Sequence, residues 1–156
     1  MVKVLFMCHG NICRSPMAEF LFRQMVDSEG LGDEVSVRSA AVTRDALGYG
    51  VYAPVRAILR RQGIECGDKV SVQVTGSDID EYDYLIVMDS ENLDGLHTLF
   101  PFTRDMDKVR MLLSFTGSEE EIDDPWFTRD FEHCYREIER GCIALLEHIK
   151  ANDLGA

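Results

Sequence analysis

Cys8 and Arg14 are the two residues of this chain whose types and spacing most directly suggest chemistry. They bracket His9-Gly10-Asn11-Ile12-Cys13, and Ser15-Pro16 follows. A loop of this length can curl so that successive backbone N–H groups point at one centre. Such a nest binds an oxyanion, and the start of a following helix adds partial positive charge. Gly10 and Asn11 are residue types that accept the positive φ a tight loop needs. Arg14 supplies a planar fork able to hold two phosphate oxygens. Cys8 then lies at the bottom of an electropositive cup that favours its thiolate, a nucleophile aimed at a bound phosphate.

A nucleophile of this kind needs a proton donor for the departing oxygen. The best candidate is Asp124 in Ile122-Asp123-Asp124-Pro125-Trp126-Phe127. Pro125 pushes Asp124 into an extended conformation and stiffens the loop. Trp126 and Phe127 are large apolar groups suited to line a slot for an aromatic ring.

The elements that must position these groups are legible in the hydropathy pattern. Val2 to Met7 is almost wholly apolar, as expected of a strand covered on both faces. Ser15 reads as an N-cap and Pro16 as the first helical residue. Ala18, Leu21, Phe22 and Met25 then mark one helical face, which ends near Gly30. Val35 to Ala40 alternates like a second strand. Val55, Ile58 and Leu59 mark a helix stopped at Gly63. Val70 to Val74 is ambiguous. Tyr84 to Met88 reads as a third strand with Asp89 at its carboxyl end, and Val109 to Leu113 as a fourth. The stripe Phe131, Tyr135, Ile138, Cys142, Leu145 and Ile149 predicts a long final helix, with Arg136 and Arg140 toward solvent. Alternating strands and helices predict one α/β domain over residues 1–156, with a parallel sheet. Ligands bind beyond the carboxyl ends of such strands, where Cys8, Ser39, Asp89 and the segment after Leu113 should meet.

Composition narrows the class. The 156 residues carry 16 basic and 28 acidic side chains, a formal charge of −12. This argues against general nucleic-acid binding, which needs a basic face. Glu119-Glu120-Glu121 reads as a solvated run. No apolar stretch approaches the roughly 18 residues of a membrane span, and the start of the chain lacks the pattern of a secretory signal. Five cysteines without such a signal suggest thiols in the cytoplasm. Cys8, His9 and Cys13 could suggest a metal site, but the C-x4-C spacing is marginal for zinc and no second pair is evident. No metal or other cofactor is expected, and the sequence assigns no oligomeric state.

With these residues in view, the chain resembles the low-molecular-weight protein tyrosine phosphatases. The resemblance is carried by Val4 through Glu19, which includes Cys8 to Pro16. It continues in Ser39-Ala40-Ala41, Gly63-Ile64, Tyr84 to Asp89 with Asn92, and Asp124-Pro125-Trp126-Phe127. It implies a flavodoxin-like four-stranded parallel sheet with helices on both faces, and phosphotyrosine-containing proteins as substrates. It further implies Cys8 as nucleophile through a phosphocysteine, Arg14 as transition-state clamp and Asp124 as general acid, then base. Asn11 and Ser39 would shape the loop, and Ser15 would stabilise the Cys8 thiolate. The matching pair to Cys8 and Cys13 can form a reversible disulfide under peroxide in this family. No metal is implied, because Arg14 and the backbone amides hold the charge of the transferring group.

The chain departs from the family pattern at one wall of the pocket. An aromatic residue is usual six positions after the serine matching Ser39, and here that position is Asp45. Tyr49 or Tyr52 could substitute, or Trp126 could carry more of the wall. Trp126 and Phe127 also stand where many relatives carry phosphorylatable tyrosines. Related chemistries remain open. Arsenate reductases use further cysteines, typically near residues 75–95, and Thr75 to Gly95 contains none. Arginine phosphatases of the superfamily carry Thr where Ile12 stands, and an apolar Ile12 favours a flat aromatic ring. A cysteine-phosphorylated carrier domain of sugar transport would not need Asp124. A silent anion-binding module would not need Cys8, Arg14 and Asp124 together.

Overall fold

The computed structural model describes residues 1–102 and 105–155. Four strands form one parallel sheet: β1 (Val2–Cys8), β2 (Val35–Ala41), β3 (Tyr84–Val87) and β4 (Val109–Met111), in the order β2-β1-β3-β4. β1 and β3 hold the two inner positions, as their apolar runs require. Val4 through Cys8 of β1 are all buried, as expected of a strand covered on both faces. Its register sets Cys8 beside Ala41 and Phe6 beside both Ser39 and Ile86. The carboxyl ends of the strands therefore converge at one edge.

The side-chain alternation of β1 divides the core. Val4, Phe6 and Cys8 pack with α1 (Arg14–Ser28), α2 (Ala53–Arg61) and the long α6 (Phe131–Asp153). Leu5 and Met7 pack on the other face with Ile79 of α3 (Gly76–Glu81) and Leu96 of α4 (Ser90–Leu99). Cys8 thus faces the layer that also carries Arg14. The four-residue α5 (Pro125–Thr128) precedes α6. No helix of the described residues is long and apolar enough to cross a membrane.

Three expectations are corrected. The first concerns Ser15, which does not cap α1. The helix begins at Arg14, its N-cap position is Cys13, and no side chain caps it. The Ser15 hydroxyl is instead engaged by Cys8 and Asn11. Pro16 is consequently the third helical residue, still within the first turn, where its missing N–H costs nothing.

The second correction shortens the fourth strand. β4 stops at Met111, and residues Leu112–Thr116 form a 3-10 turn. The Ser114 and Thr116 hydroxyls return to the carbonyls of Met111 and Leu113, which competes with ladder pairing. The turn drives Leu112 into α6 opposite Gly141, where an added Cβ would lie 2.5 Å from Leu112 Cγ. The third correction is slight: β3 stops at Val87, because the Met88 and Asp89 amides turn to Asn92 Oδ1.

Val70 to Val74 forms no strand; single bridges join Gly50 to Val70 and Ala41 to Gln73. Arg136 and Arg140 are exposed, as the helical stripe predicted.

Candidate active site

The loop between β1 and α1 closes over the carboxyl end of the sheet. Asn11 adopts φ 59°, the left-handed region that Asn tolerates better than most side chains. Among the described residues, the backbone N–H groups of Gly10 through Arg14 donate to no protein acceptor, which leaves them free for an oxyanion. The loop is pinned from outside. Ile12 O accepts from the Tyr52 amide at 2.9 Å, and Gly10 O accepts from Ser71 Oγ at 2.8 Å.

Cys8 is buried, and its Sγ lies 3.0 Å from Ser15 Oγ and 3.4 Å from the Ser15 amide. A thiolate cannot donate, so in that state the Ser15 hydroxyl donates to sulfur. The direction is supported by a chain of hydrogen bonds behind it. Asn11 Nδ2 donates to Ser15 Oγ at 2.7 Å and to Ser39 Oγ at 2.9 Å. The Val72 amide donates to Asn11 Oδ1 at 3.3 Å, which fixes the orientation of the amide. Ser39 in turn donates to the buried carboxylate of Glu19. Glu19 can only accept when ionised, so it orients Ser39, and Ser39 orients Asn11.

Glu19 is held by Arg23 at 2.6 Å, and Lys69 Nζ lies 3.8 Å from its other oxygen. Lys69 also donates to Ser39 O at 2.9 Å. Burial pulls the Lys69 amine below its ordinary value, and Glu19 works against that shift.

Arg14 is 2% exposed. Its Nη1 donates to Asp89 Oδ2 at 2.6 Å and to Ile122 O at 2.8 Å. Its Nη2 lies 3.5 Å from Asp124 Oδ2. Burial pulls the guanidinium down, but Cys8, Asp89 and Asp124 outweigh it and raise the group further. The fork is thus fixed in charge and direction before any ligand arrives. Asp124 is extended as Pro125 requires, and its Oδ1 accepts from the Trp126 amide at 3.0 Å.

Cys8, Arg14 and Asp124 share one cleft of about 540 Å³. Its floor carries Cys8, Gly10, Ile12, Cys13 and Arg14. His9, Asp45, Ala46 and Tyr49 contribute one stretch of the rim, and Asp124, Trp126 and Phe127 another. Tyr49 lines the cleft, whereas Tyr52 supports it from behind, its ring centroid 5.0 Å from that of Trp126. Arg129, at φ 61°, donates to the Tyr52 hydroxyl and lies over the Tyr52, Trp126 and Phe131 rings. Cys13 is buried, and burial pushes its thiol well above the ordinary range. Cys134 of α6 is similarly pushed up to about 12 by burial.

All sequence-predicted site residues except Asn11, Ser15 and Ser39 line the cleft itself; those three form the buried chain beneath Cys8. Sequence reasoning missed Glu19, Lys69 and Ser71 as parts of the support. It placed Asp89 at the right edge without seeing that it grips Arg14. A buried-side Glu19 four residues before Arg23 on α1 is a signal for a polar network, but a weak one.

The model of the family described as low molecular weight phosphotyrosine protein phosphatase matches residues 3–154. The chain is 36% identical over 152 residues to the low molecular weight protein-tyrosine-phosphatase YfkJ of Bacillus subtilis (strain 168), covering 96% of this chain and 97% of that one. The crystal structure of YfkJ superposes with a TM-score of 0.93, covering 98% and 97% of the two chains. The low molecular weight protein tyrosine phosphatase SP-PTP of Streptococcus pyogenes is 34% identical, with a TM-score of 0.87 over 99% and 97% of the chains. A drosophila arginine phosphatase, DARP, is 30% identical, with a TM-score of 0.87 over 98% and 100%. Fold, loop and near full-length similarity agree: this chain belongs to the low molecular weight phosphotyrosine protein phosphatase family and is a phosphatase.

Proposed function

We propose that the chain hydrolyses phosphotyrosine in proteins, and small aryl phosphates, through a phosphocysteine intermediate. The observation that carries this reading is the Arg14 fork, buried and aimed by Asp89 and Ile122 O in the same cleft as Cys8 and Asp124. Cys8 Sγ attacks phosphorus as a thiolate while the phosphorus–oxygen bond to the leaving group breaks. Asp124 gives its proton to that oxygen. Water then attacks the phosphocysteine and loses a proton to Asp124, and the Cys8 thiolate departs with the Ser15 hydroxyl donating to it. Arg14 and the amides of Gly10 through Arg14 hold the equatorial oxygens throughout. Asn11 and Ser39 keep Ser15 oriented. Trp126, Phe127 and Tyr49 flank the ring of the substrate.

Dephosphorylation of phosphoarginine is the second reading, because DARP is named as an arginine phosphatase and shares the fold. Ile12 on the floor supports the aromatic substrate over a guanidinium group. The five cysteines stand as free thiols, which supports a cytoplasmic setting. Cys13 shares the floor with Cys8, which supports a reversible Cys8–Cys13 disulfide as a guard against overoxidation.

The deciding experiment is a parallel assay of phosphotyrosine, phosphoserine and phosphoarginine peptides, with arsenate reduction alongside. Turnover of phosphotyrosine that is lost in Cys8→Ser is expected. Preference for phosphoarginine would replace the reading, and undiminished activity of Cys8→Ser would remove the mechanism.

A further inference from the structure

We propose that Asp45, paired with His9 at the mouth of the cleft, binds a cationic side chain beside the phosphotyrosine of the protein substrate, so that basic segments are preferred. The inference rests on the phosphotyrosine reading above and adds a choice among its substrates.

Asp45 is built into the rim. The His9 carbonyl, one residue after Cys8, accepts from the Thr43 amide at 3.1 Å and from Thr43 Oγ1 at 3.0 Å. The Asp45 amide then donates back to Thr43 Oγ1 at 3.2 Å. This small turn ties the Asp45 backbone to the phosphate loop itself. The side chain is fixed as well, with Oδ2 lying 2.7 Å from His9 Nε2. Among the described residues, Oδ1 has no intramolecular partner, and the side chain is 70% exposed.

The charges that line the cleft divide by task. Arg14 is committed to Asp89 and to the phosphate, and Asp124 to the leaving oxygen. Arg129 lies over three aromatic rings and lines no part of the cleft. Asp45 is the remaining lining carboxylate, with neither the phosphate nor the leaving group to serve. A carboxylate near a bound phosphate dianion costs affinity unless a cation lies beside it, and Oδ1 is the oxygen that the His9 contact leaves open to one. A lysine or arginine next to the phosphotyrosine supplies that cation, while the ring sits among Tyr49, Trp126 and Phe127. The chain's net charge of −12 also draws basic segments toward it during encounter.

The test compares three phosphotyrosine peptides that differ only in flanking lysines, glutamines or glutamates. An exposed ion pair of this kind gives a kcat/KM ratio of about two- to five-fold between the lysine and glutamine peptides, mostly through KM. Raising the ionic strength compresses that ratio. Asp45→Asn retains a partner for His9 and brings the ratio to about one by removing the charge. Asp45→Lys inverts the ranking, so that the glutamate peptide is best, which a merely structural role for Asp45 would not do. Equal wild-type rates on all three peptides, or a wild-type ranking kept in both variants, would overturn the proposal. Turnover of phosphotyrosine without flank preference would leave the phosphatase reading standing and remove this one. Turnover of none of the peptides would remove both.

Discussion

Arg14 and Asp89 meet across 75 residues of sequence, with Nη1 and Oδ2 2.6 Å apart. The contact joins the first helix to the end of the third strand and aims the guanidinium fork along the cleft floor. Asp89 also caps α4, accepting from the Asn92 amide at 2.8 Å. One side chain therefore starts a helix and orients the candidate clamp.

Asp89→Asn separates these duties, because Asn is an equally good N-cap but brings no charge to Arg14. The expected result is a fall in kcat of roughly 10- to 100-fold, the scale of a small misplacement of a catalytic group. The thermal midpoint should move little, since the cap survives. Steady-state assays on p-nitrophenyl phosphate beside a melting curve read both effects. An unchanged kcat would mean that Ile122 O alone holds the fork.

Gly141 and Leu112 provide a stability test remote from the chemistry. A Cβ at position 141 would lie 2.5 Å from Leu112 Cγ and 3.1 Å from both its methyl carbons. Gly141→Ala should destabilise by about 1–3 kcal/mol through overpacking, less the roughly 1 kcal/mol that Ala gains over Gly in a helix. Leu112→Ala alone should cost about 2–5 kcal/mol as a cavity. The double variant should lose less than the sum, because the new methyl enters the space the leucine vacates. Urea midpoints of the four proteins complete the cycle; simple additivity would mean that the helix shifts instead.

The Cys8–Arg14 loop was legible because its information is local. Cys8, the Gly10-Asn11 pair and Arg14 lie within one short stretch, and Asp124-Pro125 with its two aromatics within another. The central strand was legible for a similar reason, since burial on both faces writes an unbroken apolar run. The polar support was legible only in part: Asn11 and Ser39 follow from the family resemblance, whereas Glu19 and Lys69 are distant from Ser39 in sequence and reach it only in the folded chain. The N-cap reading of Ser15 fails for a physical reason, while the contact with Cys8 that the resemblance implies is present. The residue types that cap helices are also those that hold a thiolate, and here the sulfur at 3.0 Å won. α3 and α4 lack strong hydrophobic periodicity, yet both carry capping boxes, Thr75 with Asp78 and Asp89 with Asn92. Those boxes were the available signal. The Asp45 position was readable as a departure, but its bond to His9 depends on the Thr43 turn.

Cys13 offers a redox prediction. Peroxide converts the Cys8 thiolate to a sulfenic acid, and the Cys13 thiol condenses with it, releasing water and forming the disulfide. Burial holds the Cys13 thiol protonated, so the condensation should be slow for a neighbouring pair. Brief peroxide treatment of the wild type should give inactivation that dithiothreitol largely reverses. In Cys13→Ser the same treatment should give loss that dithiothreitol cannot restore, with sulfinic acid at Cys8 by mass spectrometry. Equal recovery in the two proteins would exclude Cys13 as the resolving thiol.

Asp124 is tested by the leaving group. Its carboxyl lies 3.5 Å from Arg14 Nη2 and lines the cleft with Trp126, so in the proposed reaction it would meet the departing oxygen. Protonation matters most when that oxygen leaves as a strong base, as from phenyl or alkyl phosphates. It matters least for p-nitrophenolate, which departs readily as the anion. Asp124→Asn keeps the acceptor for the Trp126 amide, so α5 retains its cap while the proton donor is lost. Phosphorylation of Cys8 should slow by about 10²- to 10⁴-fold for the poor leaving groups and far less for p-nitrophenyl phosphate. Single-turnover release of each phenol measures this step apart from hydrolysis of the intermediate. Losses of equal size along the series would assign Asp124 to holding Arg14 and leave the proton to another donor.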